Sequence, residues 1–419
     1  MARLFDPFDP EVYADPYPVY ARLRAEAPLY RGEGQRFWTL SRHADVQAAL
    51  ADPGLFSSAA ERGGIGITPY EGGRADAPDP VHPMPPGNLI LMDPPRHGAF
   101  RGVIQRRFLR KHVARWAPTV ERVANELIDG FAPAGRADVL EEFSTALPAL
   151  VFAEVLGIPP SRAREFAGWA AALTTVPTSP EGIEAHDAAM RSTAALFAEM
   201  LPHKRRRPED DLLSEMAAAT GEGLAIRAEE FVGLAISMLI AGNDTTSNLL
   251  ASGLWLLERH PEQRAHLVRE PAAMESAVEE ILRCEPPVHG LARVATRDVV
   301  LHGQRVAEGE KVLLLFASAN RDERVFVDPE RFDALRRCAP HLSFGFGVHH
   351  CVGLHLGRLE ARVALSTFLA RIPEYRVPRG GQRWRHLLAT RQMAALAIEF
   401  PAAGRRAGAA ARAPARFLP

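Results

Sequence analysis

Apolar residues recur at three- and four-residue spacing through residues 113–131, 185–201, 225–259, 274–283 and 352–368, and each stretch predicts a helix with a buried stripe or a fully buried body. Shorter apolar runs at 37–40, 299–301, 303–306 and 311–316, bounded by glycine and charged turns, predict strands in small, mainly antiparallel sheets. The pattern therefore predicts a mainly α fold with small β-sheets at one side. No internal repeat interrupts it. Two stretches lose the periodicity: residues 61–95, crowded with glycine and proline, and residues 320–343. Loops this long inside a compact domain are usually functional or disordered. The last residues, 401–419, are nearly all alanine, arginine, glycine and proline, which predicts a disordered tail. No compositional linker divides the rest, so a single domain over residues 5–400 is expected.

Composition narrows the class. The 419 residues are 47% hydrophobic and 24% charged, and 50 basic against 51 acidic residues leave a formal charge of −1. That balance argues against a nucleic-acid binder and against intrinsic disorder. Three cysteines, Cys284, Cys338 and Cys351, form no disulfide framework and suit a reducing compartment, leaving a thiol free for chemistry. The N-terminus lacks the apolar core of a targeting segment. The longest apolar stretch, residues 231–242, falls short of the roughly 20 residues that span a bilayer. A cytoplasmic protein without a membrane anchor is expected.

The most concentrated chemistry lies in His341-Leu-Ser-Phe344-Gly345-Phe-Gly347-Val-His349-His-Cys351-Val-Gly353, after which a helical pattern begins. Gly345 and Gly347 permit a tight turn at positive φ, and Gly353 lets a bulky group approach the backbone. At a helix N-terminus the free amides and the dipole favour a thiolate. The loop therefore offers a soft anionic ligand. A buried structural cysteine is the plainer reading, and zinc held by Cys351 with His349, His350 or His355 is another, although no CxxC or HExxH partner accompanies it.

Phe344-Gly-x-Gly-x-His-x-Cys-x-Gly353 resembles the haem-ligand signature of the cytochrome P-450 family, soluble bacterial type. The resemblance implies that Cys351 is the axial thiolate of haem b iron, which favours O–O cleavage. It implies further that Phe344, Gly345, Gly347 and Gly353 shape the ligand loop and that His349 and His341 meet haem propionates. One departure is Gly357, where alanine is usual.

Other motifs follow in the same order as in that family. Glu280-Ile-Leu-Arg283 pairs opposite charges on one helical face, and Asp328-Pro-Glu-Arg331-Phe follows it. Alone such a pair is usually a solvated one; the resemblance implies a buried network of Glu280, Arg283 and Arg331. Ile240-Ala241-Gly242-Asn-Asp244-Thr245 puts an acid and a hydroxyl into an apolar helix. A threonine bonding back to its own helix would account for it, whereas the resemblance makes Asp244 and Thr245 the catalytic pair that relays protons toward dioxygen. His97 and Arg101, four apart, and Arg293 fall at the family's propionate positions, where solvated surface roles are the alternative.

The implied activity is that of a monooxygenase, an oxidoreductase using O2 and NAD(P)H electrons to insert one oxygen atom, by hydroxylation or epoxidation, into a hydrophobic small molecule, as in secondary metabolism. Diversion to coupling, desaturation or rearrangement would keep every motif, and a haem-binding sensor would keep the cysteine loop without Asp244 and Thr245. Electrons would come from a separate ferredoxin and ferredoxin reductase, docking on the basic run Arg101, Arg106, Arg107, Arg110 and Lys111 of a monomer. By position, the substrate pocket would draw on Ser237, Ile240, Ala241, Val288, His289 and Leu291, with His289 as a polar anchor and residues 61–95 as a lid.

Overall fold

The structure, a computed structural model, describes residues 4–67, 71, 86–174, 180–337, 340–386 and 390–402. Cys338, most of the expected tail (403–419) and positions 68–70 and 72–85 of the expected lid lie outside the described residues.

The longest helix, Ala228–Arg259, passes through the middle of the molecule. Its N-terminus is closed by the Glu230 carboxylate, which accepts the Arg227 backbone N–H at 2.9 Å, and acids in the first turn complement the helix dipole. Apolar side chains surround most of it, which suits a helix packed on all sides. Ala146–Leu156, Ala163–Thr174 and Pro180–Arg206 pack against it, as do Met274–Cys284 and Leu354–Arg371. Ala146–Leu156 is buried nearly all round, so no 3.6-residue period remains to predict it.

Five strands form the larger sheet, in the order Leu29–Tyr30, Phe37–Leu40, Lys311–Leu315, Gly290–Ala295, Phe56–Ser57. Phe37–Leu40 and Lys311–Leu315 run parallel and the other neighbours antiparallel. A three-stranded sheet joins Arg136–Asp138, Arg391–Glu399 and Gln382–His386, and Val299–Leu301 pairs with Gln304–Val306 as a hairpin. The strand Arg391–Glu399 is rich in alanine, leucine, methionine and glutamine, helix-favouring residues that its buried place overrides.

Two large apolar cores meet along the Leu354–Arg371 helix. Leu356 and Leu359 belong to the core built with Ala146–Leu156 and Pro180–Arg206, whereas Ala361, Ala364, Leu365 and Phe368 belong to the core built with Ala117–Phe131 and Met274–Cys284. The cysteine loop enters this helix where the first core begins.

Met274–Cys284 carries Glu280 and Arg283, both fully buried and paired through two hydrogen bonds of 2.7 and 2.8 Å. Arg283 also donates to the carbonyls of Asn320, Pro329 and Arg331. The third member of the network is not the Arg331 side chain, which is 69% exposed and reaches Asp333 at 3.8 Å. Arg331 contributes only its carbonyl. The turn after it brings Arg336 back, and Arg336 Nε donates to Glu280 Oε1 at 3.0 Å. Burial alone would raise the Glu280 pKa, but Arg283, Arg336 and the Asp333 amide hold it below the ordinary carboxylate range.

Candidate active site

The loop preceding Leu354–Arg371 takes its shape from its glycines. Gly345 and Gly347 have φ of 68° and 70°, and a Cβ on Gly347 would lie 2.4 Å from the Leu50 carbonyl oxygen, so no other residue fits. The Cys351 N–H donates to the Phe344 carbonyl at 2.9 Å and closes the turn. The amides of Gly353 and Leu354 donate to Cys351 Sγ, as expected at a helix entrance. Burial outweighs them and raises the Cys351 pKa, against the lowering effects of Arg101 and Arg358. Phe344 lies beneath the Arg358 guanidinium, 4.5 Å from its ring centroid, and Arg358 is fixed by two bonds of 2.7 and 2.8 Å to Glu279.

A cluster of buried donors lies beside the loop. The His97 and His349 rings are 4.3 Å apart, and the Nε2 atom of each is buried with no hydrogen-bond partner among the described residues. Arg293 is 3% exposed, and its Nη1 donates to the neighbouring Ala292 carbonyl at 2.8 Å. Among the described residues no carboxylate forms a salt bridge with it; Asp93, the acid with a resolved effect on it, is engaged by Ser57 and the Ser58 amide. Burial lowers the Arg293 pKa to about 10. Burial, then Arg293, His97 and Arg101, push that of His349 down to about 3. Arg101 Nη1 reaches the Val348 carbonyl at 3.3 Å. Buried donors and cations gathered without a counter-anion are costly unless an anion completes them. With a soft sulfur ligand alongside, this donor set fits an iron porphyrin bearing two carboxylates.

In the middle of the central helix the buried surface is interrupted at Ser237, Ile240, Ala241, Gly242, Asp244 and Thr245. Ala241 is exposed, whereas Leu239, on the other side of the helix, is fully buried. Thr245 Oγ1 donates to the Ala241 carbonyl at 2.8 Å. Gly242 packs on a neighbouring helix: a Cβ there would lie 3.3 Å from the Phe152 ring, so its smallness serves helix packing. Gln392 Nε2 donates to Asp244 Oδ2 at 2.5 Å. Burial raises the Asp244 pKa to about 7, against the lowering effects of Arg385 and Gln392. On the opposing side Val288 and Leu291 are partly exposed, and Val288 forms a β-bridge with Thr390.

Three expected site residues fall elsewhere. His341 Nε2 lies 3.3 Å from Glu279 Oε2, apart from the His97 and His349 pair, because Glu279 supplies the charge that draws it. His289 is buried against Tyr17 and Tyr20, with Tyr20 Oη 3.3 Å from its Nδ1, in a small crevice under Phe5, Pro7 and Val12. Burial, with Arg391 and Arg321 nearby, lowers its pKa far below the ordinary histidine value, so a neutral ring packed on tyrosines replaces the expected substrate anchor. Arg107 leaves the basic face to pair with Glu215 and Asp210. Two residues escaped sequence reading. Arg336 had a signal, a basic residue just after Asp328-Pro-Glu-Arg331-Phe in the meander of residues 320–343; Gln392, in an alanine-rich strand far down the chain, had none.

A cysteine at a helix entrance, a cluster of donors beside it, and an acid and a hydroxyl in the central helix together make up the candidate site. The family model for cytochrome P450 matches residues 181–377. The chain is 33% identical to the putative cytochrome P450 YjiB of Bacillus subtilis over 85% of its own length and 87% of that protein's. It is 36% identical to the vitamin D(3) 25-hydroxylase of Pseudonocardia autotrophica, over 88% and 89% of the two chains. The solved structure of cytochrome P450 CYP109Q5 from Chondromyces apiculatus superposes with a TM-score of 0.84 at 33% identity, covering 96% of this chain and 99% of that one. The chain belongs to the cytochrome P450 family, and is thus an oxidoreductase of the haem-dependent monooxygenase class. Among the described residues no helix is long and apolar enough to cross a membrane.

Proposed function

We propose that this P450 inserts one atom of O2 into a hydrophobic small molecule by hydroxylation or epoxidation, with two electrons from NAD(P)H passed through a separate ferredoxin reductase and ferredoxin. The observation that carries this reading is an acid, Asp244, next to a hydroxyl, Thr245, where the buried middle of the central helix is interrupted. Haem b, bound through Cys351, supplies the oxidising chemistry. His97, Arg101, Arg293 and His349 would hold its propionates by charge-assisted hydrogen bonds. Thr245 gives its own proton to the Ala241 carbonyl, so its oxygen lone pairs are left to accept from water in the groove. Asp244, with a pKa near 7, holds or releases a proton at working pH and replenishes that water. Ser237, Ile240, Ala241, Val288 and Leu291 form an apolar wall for substrate, which fits a relative named as a vitamin D(3) hydroxylase. The two described cysteines are free, as suits the cytoplasm.

Replacing Thr245 with alanine should leave haem content unchanged and cut product formed per NAD(P)H by about tenfold or more, the missing electrons appearing as hydrogen peroxide. The measurement is stoichiometry of NAD(P)H, peroxide and product; tight coupling in this variant would remove the proton relay.

For ferredoxin, Arg106, Arg110 and Lys111 remain of the basic run after Arg101 turns inward and Arg107 is buried. Arg110 is 84% exposed and lies 3.8 Å from Glu275 at the edge of a groove lined by Glu279, His341, Phe344, His350 and Arg358. Exposed Leu109 and Phe346 add apolar contact. Reversing the charge of Arg110 and Lys111 together should raise the KM for ferredoxin and flatten its salt dependence while kcat at saturation holds. An unchanged KM would dispose of this docking face.

A further inference from the structure

We propose that Gln392, on the C-terminal hairpin, is the positioning residue of the proton-carrying acid: a neutral amide, in place of a charged partner, holds and orients the Asp244 carboxyl group. The inference rests on the proton-relay reading of Asp244 given above.

Gln392 is 4% exposed, and its Nε2 reaches Asp244 Oδ2 where the strand Arg391–Glu399 packs on the central helix. The strand is a rigid carrier at this point. The Gln392 N–H donates to Tyr13 Oη at 3.1 Å, and Arg391 beside it is pinned by Glu285 at 2.6 Å, by the Ala14 carbonyl at 2.7 Å and by the Trp384 ring at 3.6 Å. On the helix itself, Asn248 Nδ2 donates to the Asp244 carbonyl at 2.9 Å and lies 3.5 Å from Oδ1. Among the described residues, Arg385 on the strand Gln382–His386 is the charged group that acts on Asp244, and it does so without a salt bridge.

This choice of partner has a chemical meaning. A contacting arginine or lysine would lock a buried carboxylate in its ionised form, and no donor at all would lock it protonated. An amide N–H supports the anion with a single dipole, and the 3.5 Å approach of Asn248 Nδ2 to Oδ1 adds a second neutral donor, not a charge. Asp244 therefore remains able to both take and give a proton near neutral pH, and Gln392 sets where that balance lies.

The test is infrared difference spectroscopy of the haem-loaded protein titrated through neutrality. A protonated-carboxyl band should vanish as pH rises through about 7 in the parent protein and be missing in Asp244→Asn. Gln392→Leu removes a donor to the anion and should move the midpoint up by about one pH unit; Gln392→Lys supplies a cation and should move it down by at least as much. The pH at which product per NAD(P)H falls should follow the same midpoints. A merely structural glutamine would not shift the band in opposite directions. If Gln392→Leu fails to fold, Gln392→Asn, with its amide one methylene short, should raise the midpoint in the same sense. A band that stays put in these variants overturns the proposal. Shifted bands with coupling indifferent to Asp244→Asn would instead remove the relay reading and leave the positioning role standing.

Discussion

Cys351→Ala should abolish the thiolate-type Soret band of the reduced carbonyl complex and all turnover, while the protein keeps its fold. The loop is held by Gly347 against Leu50 and by the Cys351 N–H to the Phe344 carbonyl, neither of which needs the side chain. Only the metal ligand is removed. The matching control is Cys284→Ser. The Cys284 thiol is buried beside Arg283 and Glu280, and burial pushes its pKa up to about 12, so it offers no thiolate and its loss should leave the band in place. A thiolate-type band that survives in Cys351→Ala would overturn the ligand assignment; far-UV circular dichroism on the same sample separates that outcome from unfolding.

The second large effect is expected at Arg283. Arg283→Leu takes from Glu280 its two strongest hydrogen bonds and removes the donor that the guanidinium supplies to the Asn320 and Pro329 carbonyls. Breaking one side of a fully buried pair costs about 3–5 kcal/mol, a large part of an ordinary domain's stability. Urea midpoints should fall accordingly, and much of the expressed variant should lack haem, because the meander that leads into the cysteine loop is tied down by this one side chain. Arg331→Leu, by contrast, should move the midpoint by less than about 1 kcal/mol, since its side chain is solvated. Equal losses in the two variants would return Arg331 to the network. The sign of the pH effect follows from Glu280: a carboxyl whose pKa is held low in the folded protein stabilises it above the ordinary carboxylate range, and that contribution fades as pH falls through the depressed value.

These residues also mark how far the sequence could be read. Motifs whose chemistry is local, the glycine-framed Cys351 loop and the acid and hydroxyl of 244–245, stood out because neighbours in sequence are neighbours in space. The central helix was legible through its period, although it starts at Ala228 instead of 225 because residues 219–226 are drawn into a tight turn by the Gly221 and Ile226 backbone bonds. Legibility ended where a partner comes from a distant segment. Arg331 and Arg336 differ only in which way a turn delivers them. His289 and His341 are each near the right loops but are drawn off by Tyr20 and Glu279. Gln392 approaches Asp244 from 148 positions along the chain, through strand pairing that no local pattern announces.

The helix Leu354–Arg371 is shared by both apolar cores, its first turns in one and its later turns in the other. Neither half of the molecule can therefore loosen alone without tilting a common strut, and the end of that strut is the cysteine loop. Cooperativity of the whole fold and the fixed height of one sulfur atom are, in this protein, the same mechanical property.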